Sequence, residues 1–285
     1  MFAAGDALIK TDGNNKHRFV RVVYCAHAVL RRLQSHASVF PPWIPPHRAP
    51  MTLQDIAFAY HIMFLAVFGK VWSWHWTPAA ANLPGAHGFG FFFRYLTFCS
   101  FTLQVVQLIL CVAARVSKVV MKPRLCWFAH QHLCTPQSDK ARLRLMAWAD
   151  DISCALFGLA HAVTLLYHVI HSATQDVVEG GPVDRPPWLG FSVHILNTIF
   201  AWGDLLLAAP RSFSRRSSWL CTAITISYCL WLLLIRSVTG GFPYPFLNKL
   251  PFPSGFVGIM VGGIVIFRVA FEGGRGVAWL AQHWK

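Results

Sequence analysis

The sequence predicts an all-α fold: a polytopic membrane protein with a six-transmembrane-helix bundle and both termini cytoplasmic. Three observations carry that expectation. Of 285 residues, 55% are hydrophobic and only 13% charged, with a mean hydropathy of +0.46, a balance foreign to a soluble domain. Six apolar stretches are each long enough to cross a hydrocarbon core roughly 30 Å thick, at about 1.5 Å of rise per residue. The basic residues alternate between connections: 20 lysines and arginines fall on one side and five on the other, which by the positive-inside rule makes the richer side cytoplasmic.

Taken in order, the spans are expected at about Leu53–Trp72, Tyr95–Val116, Ile152–His171, Trp188–Ala209, Trp219–Arg236 and Pro253–Phe271. The third and fourth are interrupted by histidines and an aspartate, yet their length and flanks fit. Residues 1–52 hold seven basic residues, and the second-to-third connection holds seven more, from Arg115 to Arg144. The sparse side has Lys70, Arg94, Arg185, Arg236 and Lys249. The net charge of +14 therefore reads as a topology signal and as contacts to anionic membrane lipids. No recognition motif points to nucleic acid.

Residues 1–50 form a basic N-terminal extension, and residues 51–285 the six-helix domain. "HRFVRVVYCAHAVLRRL" alternates basic and apolar residues. Three readings fit it: an interfacial helix, an Arg-rich presequence, or untranslated sequence upstream of a start at Met51. "PPWIPPHRAP" follows as a Pro-rich linker. Eight cysteines are scattered singly with no CxxC pair, so neither a disulfide framework nor a metal site is expected.

Ionisable residues inside spans are costly and each is a functional hypothesis. Here they are Asp55, His61, His161, His168, His194 and Asp204. Depth singles out one pairing. The second span enters beside Arg94 and the fourth at Trp188, from the same side of the membrane. Thr97 then lies about 5–8 Å inside and His194 roughly 9 Å inside, by helical rise. Two such side chains at one level meet the topological requirement of a nucleophile and its general base. The ordinary alternative is a threonine that returns its hydroxyl to the carbonyl four residues earlier, as expected for Ser100, Thr102, Thr164, Thr222 and Thr225.

Three segments carry a resemblance. "FFFRYLTFCSFTLQ" resembles the second helix of the androgen-induced and androgen-dependent TFPI-regulating proteins, where "W-K-Y-L-T-F" precedes a glutamine-containing apolar run. "PWLGFSVHILNTIFAWGDLLL" is similar to their histidine-bearing fourth helix. "RSSWLCTAITISYCLWLLLIRSVTGGFPYPFLNKL" is similar to their fifth helix and the "T-G-x-W-V-Y-P-x-L" loop. The likeness runs from about Leu53 to Phe271. It departs at Phe93 and Arg94, at Phe191 where a histidine is common, and at Phe242 and Pro243.

The resemblance implies a membrane hydrolase of fatty acid esters of hydroxy fatty acids, with Thr97 as nucleophile and His194 as base. It implies a lipid substrate bearing a free carboxylate, and no cofactor. Around that pair, Arg94 is expected one turn above Thr97 on the same helix face, placed to bind the carboxylate. Asn197, three residues after His194, is a candidate supporting hydrogen-bond partner, and Tyr244 an oxyanion donor or an interfacial anchor. Asp204, ten residues beyond His194, is too distant to orient it. Two other classes remain open. The span histidines invite a haem reading, although facing partner histidines are not evident. A non-catalytic lipid- or sterol-binding or regulatory protein fits the apolar composition equally well. Nothing in the sequence selects between endoplasmic reticulum and plasma membrane.

Overall fold

The computed structural model describes residues 52–120, 136–174, 186–208 and 211–283. The chain falls into two units, Met1–Leu53 and Gln54–Lys285, and the helical bundle is built by the second. The readings of the N-terminal extension lie outside the described residues. Among the described residues every regular element is helical. Six helices are long and apolar enough to span a membrane: α1 (Leu53–Trp74), α2 (Leu96–Val120), α3 (Pro136–Thr174), α4 (Pro187–Leu207), α5 (Arg215–Thr239) and α6 (Ser254–His283). This is a multi-pass integral membrane protein.

Helix ends extend beyond the apolar runs for local reasons. α5 begins at Arg215, four residues before the first apolar residue, because the Ser214 hydroxyl caps it by accepting the Ser217 N–H at 3.0 Å. It ends at Gly240, whose φ of 78° supplies the left-handed cap. α6 continues to His283 rather than stopping at Phe271, and its added turns pack on α3. Small residues allow that approach: a Cβ on Gly158 would lie 3.0 Å from the Phe267 carbonyl, and one on Gly274 only 2.6 Å from the Phe157 ring.

Cross-helix hydrogen bonds show the helices alternating in direction. Trp72 Nε1, late in α1, donates to Thr102 Oγ1, early in α2, at 3.1 Å. Arg115, late in α2, reaches Asp55, early in α1, at 2.9 Å. Arg268 in α6 donates to Ser218 Oγ in α5 at 2.7 Å. The core between α1, α2 and α4 is aromatic: Phe68, Phe101 and Phe200 are fully buried, with ring centroids 4.7 and 5.5 Å from Phe68. Leu230, Val261 and Val269 face outward, as a lipid-facing surface requires.

One buried polar cluster ties the other end of the bundle. Asp204 in α4 accepts from Arg211 Nη2 at 2.5 Å, lies 2.6 Å from His61 Nε2 in α1, and accepts from Gln107 Nε2 in α2 at 3.4 Å. All four side chains are buried. Removing one member of such a group leaves an uncompensated charge, costing about 3–5 kcal/mol. Asp204→Ala and Arg211→Ala are each expected to lose that much stability. The double variant should recover part of the loss, read from thermal unfolding in detergent.

Candidate functional site

The site begins where α2 begins. A tight turn, Phe91–Arg94, precedes the helix, and Tyr95 then takes an extended backbone with φ −100° and ψ 130°. α2 therefore starts at Leu96. Arg94 is not on the same helix as Thr97, so the expected one-turn relation between them does not hold. Its guanidinium is tied to the loop before it, donating from Nε to the Phe91 carbonyl and from Nη2 to the carbonyls of Pro84 and His87.

The α2 entry is held from α5 and the loop after it. Trp231 Nε1 donates to the Phe93 carbonyl at 2.8 Å, and Tyr228 donates to the Arg94 carbonyl at 2.9 Å. Tyr244 Oη accepts the Leu96 backbone N–H at 2.9 Å and is itself 2.9 Å from Tyr228 Oη. With the Tyr228 proton on Arg94, Tyr244 is the donor between the two phenols. Tyr244 thus acts through the backbone beside Thr97. Burial pushes its phenol up to about 12, so it remains a neutral donor near pH 7.

This entry changes what Thr97 can do. The Phe93 carbonyl, four residues back, accepts from Trp231 Nε1 and from Cys99 Sγ. Thr97, half-buried in the first turn of α2, makes no side-chain or backbone N–H hydrogen bond among the described residues. Elsewhere the ordinary return to the backbone holds: Thr102 to Phe98, Thr222 to Ser218 and Thr225 to Cys221. Thr164 and Ser100 depart from it. Thr164 reaches across to α4, and Ser100 Oγ is buried with no hydrogen-bond partner among the described residues.

His194 lies in an irregular stretch of α4. Ser192–Leu196 forms a π-helical turn between the α-helical Pro187–Phe191 and Asn197–Leu207. Such insertions are rare and frequent at functional sites. The His194 ring is half-buried and stacks on Tyr167 of α3, with centroids 3.6 Å apart and planes at 11°. Its carbonyl accepts from Thr164 Oγ1, which also lies 3.2 Å from Asn197 Oδ1 and 2.7 Å from Thr198 Oγ1. Asn197 is fully buried and takes Gln104 Nε2 of α2 on its carbonyl at 3.3 Å.

Two contacts set the level of Thr97 against His194. Gln104 meets Asn197 and Gln107 meets Asp204, sequence offsets of 93 and 97. Since α2 and α4 run in the same direction, those offsets put Thr97 level with residues 190–194. α2 packs against the π turn itself, and Phe98 shares an apolar cluster with Leu189 and Val193. Among the described residues no hydrogen bond joins Thr97 to His194. The structure brings the pair to one level on facing helices and leaves them unbonded.

Depth alone misses a further signal in the sequence. Thr97, Ser100, Gln104, Gln107 and Cys111 repeat at spacings of three and four, so they form one polar stripe down α2. On α4, His194, Asn197 and Asp204 follow at spacings of three and seven. Together they make a polar seam through an apolar bundle. Among the described residues, no group of three or more His, Cys, Asp or Glu side chains is arranged to hold a metal ion.

With that geometry in view, a family model described as FAR-17a/AIG1-like protein matches residues 56–277. The chain belongs to the FAR-17a/AIG1-like family. Human Androgen-induced gene 1 protein is 23% identical over 176 residues, covering 60% of this chain and 70% of that protein. No solved structure matches. The matched range, residues 56–277, includes the α2 entry, the α4 π turn and Asp204.

Tyr244→Phe removes the hydroxyl that accepts Leu96 and donates to Tyr228. A loss of about 1–3 kcal/mol is expected, measured by thermal unfolding. The sign of the pH effect follows from the raised phenol. An unfolded tyrosine ionises near 10.0 and this one near about 12, so its contribution holds below pH 10 and is lost as pH rises through 12. Alkaline unfolding should be shallower in Tyr244→Phe than in the wild type.

Proposed function

We propose that this chain is an integral-membrane hydrolase that cleaves fatty acid esters of hydroxy fatty acids, with Thr97 as nucleophile and His194 as general base. The observation that carries the reading is Thr97 itself: a first-turn hydroxyl kept off its own helix and level with a histidine in a π turn. The resemblance of the α2 and α4 segments to family hydrolases supports the same assignment.

The chemistry follows from the placement. His194 takes the proton as Thr97 Oγ attacks the ester carbonyl. The developing oxyanion needs donors, and the Thr97 backbone N–H at the positive end of α2 supplies one. Collapse of the tetrahedral intermediate breaks the ester C–O bond, and the proton on His194 passes to the departing hydroxyl of the hydroxy fatty acid. Water then attacks acyl-Thr97, with His194 accepting a proton from it. The fatty acid leaves and Thr97 Oγ is reprotonated. Tyr244 and Tyr228 act by holding the α2 entry, and Asn197 by fixing α4 below the π turn. Arg94 Nε and Nη2 serve the loop, so carboxylate recognition would fall to the Nη1 edge of its guanidinium.

A lateral apolar cavity of about 470 Å³ between α2, α3 and α5, lined by Leu96, Cys99, Leu103, Leu159, Ile224 and Trp231, favours a second reading. Its size is within the roughly 300–1,000 Å³ typical of ligand pockets. A non-catalytic lipid- or sterol-binding protein would use it without Thr97.

Detergent-purified protein with a fatty acid ester of a hydroxy fatty acid separates the two. Thr97→Ala and His194→Ala should each lose about 10²–10⁴-fold in activity, with unfolding temperatures unchanged. Full activity without Thr97 would discard the nucleophile, and an inactive wild type that still binds lipid would favour the second reading. Arg94→Lys should keep the Michaelis constant and Arg94→Ala raise it; no change in either would remove Arg94 from substrate recognition.

A further inference from the structure

Three fully buried polar side chains lie just below Thr97 and His194. Ser100 Oγ, Gln104 Oε1 and Asn197 Nδ2 each lack a hydrogen-bond partner among the described residues, and all three residues are 0% exposed. They are neighbours. Ser100 and Gln104 are one turn apart on the same face of α2, and the other end of the Gln104 amide donates to the Asn197 carbonyl. The Asn197 side-chain oxygen lies 3.2 Å from Thr164 Oγ1 and 3.4 Å from Thr198 Oγ1. Its side-chain nitrogen has no partner among the described residues.

Buried polar atoms without partners are rare and each has a cause. In a bundle within a bilayer the cost is highest, since no bulk solvent is near. One donor and two acceptor oxygens, one of them a hydroxyl that can also donate, match the two to four hydrogen bonds of a single internal water. We infer that Ser100, Gln104 and Asn197 hold a water molecule between α2 and α4, and that this water is the co-substrate that releases the acyl group from Thr97. The second part rests on the hydrolase reading above.

Position favours that role. Ser100 is one turn, about 4.5 Å of rise, below Thr97, and Asn197 is the same distance below His194. A water passed upward by one turn reaches the acyl carbonyl beside His194. In the step itself the water oxygen bonds to the acyl carbon, its proton goes to His194, and the C–O bond to Thr97 breaks. Thr97 Oγ then recovers the proton from His194. No further reactant is needed.

Two measurements test the inference on Ser100→Ala, whose hydroxyl has no other hydrogen-bond partner among the described residues. The first needs no activity. If the atoms are bridged by water, deleting the hydroxyl takes away one of that water's partners and lowers the unfolding temperature by about 2–4 °C. If the junction is dry, deleting an unpaired buried group raises it, and the inference falls. The second is the time course of ester cleavage, resolved into the release of hydroxy fatty acid and of fatty acid. Ser100→Ala should keep the first and slow the second about tenfold, the order of one lost hydrogen-bond contribution, with acyl-enzyme accumulating and hydroxylamine restoring turnover. Lowered stability with both releases unchanged would leave a structural water and overturn its catalytic role. A wild type that cleaves no ester while the variant is destabilised would overturn the hydrolase reading and that role together, and uphold the water site alone.

Discussion

A single carboxylate, Asp204, gathers groups from three parts of the bundle: His61 from α1, Gln107 from α2 and Arg211 from the connection after α4. Each partner would be costly to bury alone, and together they are satisfied only in one register. That register has consequences at the opposite end. With Gln107 at Asp204 and Gln104 at Asn197, α2 and α4 cannot slide by a turn without breaking both contacts. The level of Thr97 against His194 is therefore set by contacts deeper in the bundle than either residue.

The opposite end is set by a different device. Phenols and an indole from α5 and its following loop take the carbonyls of Phe93 and Arg94 and the N–H of Leu96. The backbone groups that an ordinary helix entry would leave to water are thus used from outside the helix. The result is a first turn whose threonine is not drawn back onto its own backbone. His75 adds to the same end. It is buried edge-on to Phe92 and tilted against Phe98, gives its Nδ1 proton to the Val71 carbonyl at 2.8 Å, and burial lowers its pKa.

Between these ends runs the polar seam, and its two halves differ in kind. The Asp204 half is densely paired, as a structural tie should be. The half beneath Thr97 and His194 holds side chains with hydrogen-bonding capacity to spare, next to a π turn that breaks the regular ladder of α4. On the proposed hydrolase reading water must reach an apolar substrate, and a polar stripe inside a membrane bundle reconciles those demands.

Much of this was legible in the residues. Hydropathy alone determines six spans, because the bilayer sets helix length and every backbone polar group must be satisfied within the helix. The spacing of Arg94 and Trp188 from Thr97 and His194 determines that both lie at a similar depth. The three-and-four spacing of Thr97, Ser100, Gln104 and Gln107 determines that they share one face. What tertiary structure decided is which groups meet. The break at Tyr95, which removes Arg94 from the helix of Thr97, depends on Tyr228, Tyr244 and Trp231, more than 130 residues away. The π turn at His194 and the pairing of Asp204 with His61 and Arg211 likewise depend on neighbouring helices. Periodicity within a helix fixes direction around its axis, whereas contact, register and hydrogen-bond partner are properties of the space between helices.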